Sequence, residues 1–179
     1  MNQRIIIAGF GGQGILSAGR FLAYAAMLEG KNVSWLPSYG PEMRGGTANC
    51  HVIITDDDVG SPILNEADML IAMTRPSLEK FENTVRENGL IIVDSSLVES
   101  RTKRSDVREL RVPATEAAQE FGNVTFANII LIGKLIKETG IVTRESFQKA
   151  LDMNLPEKYK HMIPEEMKAL EYGMNYETA

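Results

Sequence analysis

The segment from Arg4 to Leu16 reads RIIIAGFGGQGIL, an apolar run, a cluster of glycines and the start of a new apolar pattern. Ile5, Ile6, Ile7 and Ala8 show no polar alternation, which predicts a strand covered on both faces, as in a parallel sheet. Gly9, Gly11 and Gly14 then match G-x-G-x-x-G, with Gly12 and Gln13 inside the turn. In that pattern the glycines permit a tight turn, close approach of a pyrophosphate to the backbone, and close helix–strand packing. A helix from about Ile15 to Leu28 follows, pointing its unpaired N–H groups and positive dipole end at whatever lies over the loop. Two readings stand: a phosphate-bearing ligand held over Gly9, Gly11, Gly12, Gln13 and Gly14, or a tight turn whose anion site is vacant or covered by another subunit.

A dinucleotide site carries an Asp or Glu at the end of its second strand, about 20 residues on, to hold the ribose hydroxyls. Here the second apolar stretch, Val33 to Leu36, runs into Pro37, Ser38 and Tyr39, with no acid until Glu42. A plain NAD site is disfavoured. An NADP site is no better served, because Lys31 precedes the strand and Arg44 lies well beyond it.

Strand and helix patterns alternate along the rest of the chain and predict an α/β fold: a single Rossmann-like domain with a mostly parallel sheet, an appended antiparallel hairpin and C-terminal helices. Residues 1–179 are expected to form one domain, with a core over about 1–142 and a helical segment over about 143–179. Thr47 to Thr55 alternates as a strand and is expected to turn at Asp56 to Asp58 into a short strand around Val59 to Leu64. Met69 to Met73 reads as a buried strand, and Arg75-Pro76 as the start of a helix through Val85. Asn88-Gly89 breaks that helix, and Leu90 to Val93 returns as a strand ending at Asp94-Ser95-Ser96. Val107 to Val112 is the next strand, followed by a helix over Thr115 to Phe121. Asn128 to Thr139 is apolar nearly all round, which predicts a helix buried in its own core or against a partner. Gly140 closes it, Thr143 begins a short amphipathic helix, and Pro164 begins a last one.

A chain of 179 residues with a formal net charge of −5 and a pI near 5.2 suits one packed α/β core and argues against nucleic acid, which needs a basic excess. No run approaches the roughly 18 consecutive apolar residues of a membrane helix, and the N-terminal apolar run is too short for a signal peptide. A cytoplasmic location is the expectation. The single Cys50 leaves no internal disulfide and no set of about four thiolates for an iron–sulfur cluster. His51 and His161 lie too far apart to suggest zinc. Cys50 reads as a buried strand residue and His51, on the opposite face, as a satisfied polar one.

Ser38-Tyr39-Gly40-Pro41-Glu42-Met43-Arg44-Gly45-Gly46 combines stiff prolines with free glycines and reads as a shaped loop. Arg44 has the planar fork to grip a phosphate or carboxylate, and Glu42 can accept a hydrogen bond from a ligand or a neighbouring subunit. The alternative is a surface Glu–Arg pair of little energetic weight.

Three segments, GFGGQGIL at Gly9 to Leu16, SYGPEMRGGTANCHVII at Ser38 to Ile54 and FANIILIG at Phe126 to Gly133, together resemble the gamma subunit of the 2-oxoacid:ferredoxin oxidoreductases, closest in wording to the 2-oxoglutarate branch. The resemblance implies a Rossmann-like component working beside an alpha chain, a thiamine-diphosphate-binding beta chain and a ferredoxin-type delta chain. Such a complex converts a 2-oxoacid and coenzyme A into acyl-coenzyme A and carbon dioxide, passing two electrons to ferredoxin. Thiamine diphosphate, Mg2+ and [4Fe-4S] clusters are then expected only in the partner subunits, with no catalytic or metal-binding residue in this chain. The glycine loop, Glu42 and Arg44 are expected to face coenzyme A or a partner that encloses it. Isolated, the chain is expected to be inactive and to pair with itself. A stand-alone nucleotide-binding regulatory module is the alternative function, and a self-sufficient dehydrogenase is disfavoured by the missing ribose acid.

Overall fold

A computed structural model describes residues 1–39 and 47–178. Six strands form one sheet: β1 (Asn2–Phe10), β2 (Asn32–Tyr39), β3 (Thr47–Thr55), β4 (Ala67–Ala72), β5 (Val85–Asp94) and β6 (Arg108–Val112), in the order β2-β3-β1-β4-β5-β6. β1, β4, β5 and β6 run parallel, whereas β3 is antiparallel to both β1 and β2. The helices are α1 (Ile15–Leu28), α2 (Arg75–Phe81), α3 (Ala114–Glu120), α4 (Ala127–Thr139), α5 (Arg144–Asn154) and α6 (Ile163–Asn175).

β1 lies at the centre of the sheet, and its unbroken apolar run follows from that position. Ile5 and Ile7 face one hydrophobic cluster, built largely from α1, α4, α5 and α6. Ile6 and Ala8 face the other, which α2 and the segment before β4 cover. Each of these residues is therefore buried whichever way it points, and polar alternation would place unpaired groups in a core.

The expected strand around Val59 to Leu64 is absent; the segment is irregular. Gly60 and Pro62 break the extended pattern there, and the chain instead folds across the second sheet face, where Leu64 is buried and its N–H donates to Nδ1 of His51 at 3.2 Å. The antiparallel hairpin is formed by β2 and β3. Pro37, expected to leave the strand, stays in β2, because β2 is an edge strand where a missing N–H costs no ladder bond. The helix expected to reach Val85 ends at Phe81, and Glu82–Thr84 forms a 3-10 turn. The buried Glu82 carboxylate accepts from the Thr102 hydroxyl at 2.7 Å and the Lys103 N–H at 3.0 Å, so the chain is held in a turn while β-branched Val85 enters the ladder beside Ala67.

α4 resolves the choice between own core and partner. Every residue from Ala127 to Ile136 is buried, and α6 crosses it so closely that a Cβ on Gly133 would meet the Leu170 carbonyl and one on Gly173 the Ile130 carbonyl. The helix therefore presents no apolar face for self-pairing. Gly140 closes it with φ 62°, and Thr143 caps α5 by accepting from the Ser146 N–H at 3.1 Å.

Candidate functional site

The glycine turn joins the carboxyl end of β1 to α1, at the edge where open α/β sheets bind ligands. It is braced from within. The Gln13 side-chain oxygen accepts from the Phe10 N–H at 2.7 Å, and the Gln13 N–H donates to the Phe10 carbonyl at 3.3 Å. Asn128, at the start of α4, donates through Nδ2 to the carbonyls of Gln13 and Thr125, both at 2.8 Å. One amide thus ties the turn to a second helix N-terminus.

The glycines are needed for different reasons. A Cβ on Gly9 would strike the Gln13 side-chain oxygen, and one on Gly14 the Asn128 amide. Gly12 and Gly14 also hold φ of +91° and +73°, a region that side chains resist. Gly11 has neither reason among the described residues: its φ is not positive and a Cβ there would meet none of them within 4 Å. Packing of the described residues does not require glycine at that point; a ligand or partner approaching the backbone from outside would. α1 opens without a side-chain cap or an acidic residue in its first turn, so its N-terminal N–H groups favour an anion. The neighbouring α2, in contrast, is capped by Thr74, whose hydroxyl accepts from the Ser77 N–H at 3.3 Å.

The sheet order explains the missing ribose acid. In this fold the strand beside β1 is the antiparallel β3, and β2 lies one strand further out. Phe10 pairs with Thr47, and Ala48 pairs with both Gly9 and Tyr39. The chain thus leaves β2 at Tyr39 and returns at Thr47 beside the glycine turn. Glu42 and Arg44 lie outside the described residues.

The remaining candidates are accounted for by the fold. Asp94, fully buried at the end of β5, accepts from the Ser96 N–H at 3.1 Å, the Thr115 N–H at 3.3 Å and the Thr115 hydroxyl at 2.5 Å, fixing the approach to α3. Cys50 is buried against α1, and desolvation pushes its thiol up to about 12, which makes it an unreactive packing group. Burial lowers the His51 pKa, and its Nδ1 acceptor role leaves the proton of the neutral ring on Nε2. Among the described residues no group of three or more His, Cys, Asp or Glu gathers to hold a metal, and no helix is long and apolar enough to cross a membrane. This donor set does not fit an iron–sulfur cluster or a thiamine-bound magnesium ion.

Three residues stand out that sequence patterns did not single out. Asn128 had a signal in retrospect, as the one polar residue opening an apolar helix. Arg20 and Glu166 had none, since each reads as an ordinary surface charge on an amphipathic helix. Both line a cleft that begins at Gly14.

Residues 4–176 match the family model described as pyruvate ferredoxin/flavodoxin oxidoreductase. The chain is similar to the ketoisovalerate oxidoreductase subunit VorA of Methanothermobacter marburgensis, with 42% identity over 97% of this chain and 36% of that one. It is similar to the 2-oxoglutarate synthase subunit KorC of Methanocaldococcus jannaschii, with 34% identity over 100% of this chain and 95% of that one. The chain therefore spans about a third of the length of VorA and nearly all of KorC. Among solved structures, the keto/oxoacid ferredoxin oxidoreductase gamma subunit of Geobacter sulfurreducens superposes with a TM-score of 0.81 at 31% identity, over 96% of both chains. A 2-oxoglutarate:ferredoxin oxidoreductase of Magnetococcus marinus, solved with 2-oxoglutarate, coenzyme A and succinyl-CoA bound, shares the fold at a TM-score of 0.87 and 20% identity, over 96% of this chain and 30% of that one.

Proposed function

Because the chain belongs to the pyruvate ferredoxin/flavodoxin oxidoreductase family, we propose that it is the gamma component of a 2-oxoacid:ferredoxin oxidoreductase and that its glycine turn contacts coenzyme A. The oxidative decarboxylation belongs to the assembled complex. Alpha, thiamine-diphosphate-binding beta and ferredoxin-type delta chains supply the thiamine, Mg2+ and [4Fe-4S] chemistry, and this chain contributes coenzyme binding and assembly. 2-Oxoglutarate is the proposed substrate, a reading supported by the end-to-end match to KorC.

Gly11 is the observation that carries the coenzyme role. Among the described residues it is a glycine that nothing crowds, with ordinary backbone geometry, at an uncapped helix N-terminus, and close approach of a pyrophosphate is what such a position permits. Arg44, with Glu42 beside it, is the proposed charged contact. The chain ends flanking both residues lie next to the turn.

The test is titration of the reconstituted complex with coenzyme A. Gly11→Val is expected to leave the melting temperature of the chain within a few degrees of wild type and to raise the Michaelis constant for coenzyme A about tenfold, equivalent to roughly 1.4 kcal/mol. Arg44→Lys keeps the charge but loses the bidentate fork, and is expected to weaken the coenzyme response with assembly intact. Unchanged Michaelis constants in both folded variants would remove the glycine turn and Arg44 from the site.

A further inference from the structure

On the face of the sheet away from α1, helix α2 packs against β1 and β4. A groove of about 360 Å3 lies between the end of that helix and the β2–β3 hairpin. Two directly opposed cross-strand pairs, Leu36 with His51 and Ser38 with Asn49, make its floor. His51 and Asn49 also pair with Ile6 and Ala8, whose side chains lie in the second cluster, so the floor points to that side. The alternate residues of β2, Val33 and Trp35, pack on the cluster under α1 instead. Lys80 and Phe81 at the end of α2 form the wall, and Pro37 lies at the open edge.

The polar groups of this groove are arranged to donate. The Leu64 N–H occupies Nδ1 of His51 at 3.2 Å, which leaves the proton of the neutral ring on Nε2 as a donor. Lys80 brings a cation, with its Nζ 5.3 Å from the centre of the Phe81 ring, and the adjacent Glu79 carboxylate is taken by Arg75 at 2.8 Å. The Ser38 hydroxyl and the Asn49 amide add two more donors, and Asn49 is only 6% exposed. Among the described residues no carboxylate lines the groove. A sheet face left to solvent also carries polar residues, but solvent exposure alone calls for neither a buried amide nor a ring fixed by a backbone N–H.

We propose that this groove binds a small monocarboxylate with an apolar body, its carboxylate held between the Lys80 ammonium and the His51 Nε2–H and its hydrocarbon part against Leu36 and Phe81. One cation among neutral donors balances one negative charge, so a carboxylate suits the site and a phosphate dianion carries charge that nothing there offsets. The Asn49 amide and Ser38 hydroxyl serve the remaining oxygen lone pairs. The volume falls within the roughly 300–1,000 Å3 of small-ligand sites. The site is independent of the coenzyme A reading, because every residue in it comes from the hairpin and α2 and none from the glycine turn, α1 or α4.

The experiment titrates the full chain at neutral pH with 3-methylbutanoate, following backbone amide shifts and the ring protons of His51. Two companion titrations use 3-methylbutan-1-ol, which keeps the body without the charge, and inorganic phosphate, which keeps the charge without the body. Saturable shifts at Ser38, Asn49, His51 and Lys80 are expected with the carboxylate, in the millimolar range, and binding at least about tenfold weaker with either companion. Lys80→Met preserves the stem of an exposed side chain and is expected to melt as wild type while losing about tenfold in affinity, with Lys80→Arg restoring most of it. His51→Asn keeps an acceptor for the Leu64 N–H but removes the Nε2 donor, and is expected to weaken binding several-fold. Absence of saturable shifts at these residues overturns the proposal, as does wild-type affinity in Lys80→Met. Equal binding of the alcohol, which reduces the site to an apolar patch, or of phosphate, which reduces it to a bare cation, overturns it as well.

Discussion

At neutral pH the Glu166 carboxyl lies near the middle of its titration, because burial without a partner pushes it up from 4.5 to about 7. In the unfolded chain the group ionises near 4.5, so between 4.5 and about 7 the folded state holds a proton that the unfolded state has released. Stability is therefore highest below that window and falls as pH rises through it. Glu166→Gln removes the fall. Thermal melts at pH 5 and pH 8 are expected to show the variant gaining on wild type at the higher pH, by on the order of 2 kcal/mol after discounting for the solvent in the cleft. A constant difference between the two proteins across the range contradicts the assignment. Gly11 and Gly14 show why residue identity alone does not separate use from packing. Both fit the same motif, but Gly14 is demanded by its φ of +73° and by Asn128, whereas nothing among the described residues demands Gly11. Only Gly11 reports on what binds outside.

The tightest junction between elements is the crossing of α4 and α6. Gly173 and Gly133 let the two backbones touch, and a methyl group at either position meets a carbonyl that cannot rotate away. Gly173→Ala gains about 1 kcal/mol of helix propensity but must part the helices, and a net loss of about 1–3 kcal/mol is expected in chemical denaturation. Gly60→Ala, at an open position of ordinary φ, is the control and is expected to be nearly neutral. Equal stabilities for the two variants would mean the crossing tolerates expansion. Elements whose signals were local could be read from the sequence alone: α1 runs from Ile15 to Leu28 as its start and periodicity indicated, and β3 from Thr47 to Thr55 as its alternation did. Where a distant contact decided, the pattern misled. Val85 pairs with Ala67 in place of ending a helix, and the apolar residues around Val59 and Leu64 cover a sheet face in place of forming a strand.

For the whole molecule, the sheet order is what turns the separate motifs into one place. By inserting antiparallel β3 between β2 and β1, the fold brings the end of β2 at Tyr39 and the start of β3 at Thr47, between which Glu42 and Arg44 fall in sequence, to the side of the glycine turn. The start of α4, which carries the third motif, meets the same turn through Asn128. Strand adjacency is set by contacts far apart in sequence, so the motifs were legible individually but their convergence was not. Among the described residues no cluster of metal-binding side chains forms: Cys50 is sealed under α1, and the buried carboxylates Asp68, Glu82 and Asp94, though not Glu166, are occupied by Arg4, Thr102 and Thr115. The central proposal is that the chain is a component whose activity exists only in a complex. It is tested most directly by coenzyme A-dependent oxidation of 2-oxoglutarate, followed as reduction of ferredoxin, for the isolated chain, for its alpha, beta and delta partners together, and for all of them combined. The account predicts turnover in the full mixture alone. Turnover by the isolated chain free of thiamine-carrying protein, or full coenzyme-dependent activity in the partners without it, would contradict the account.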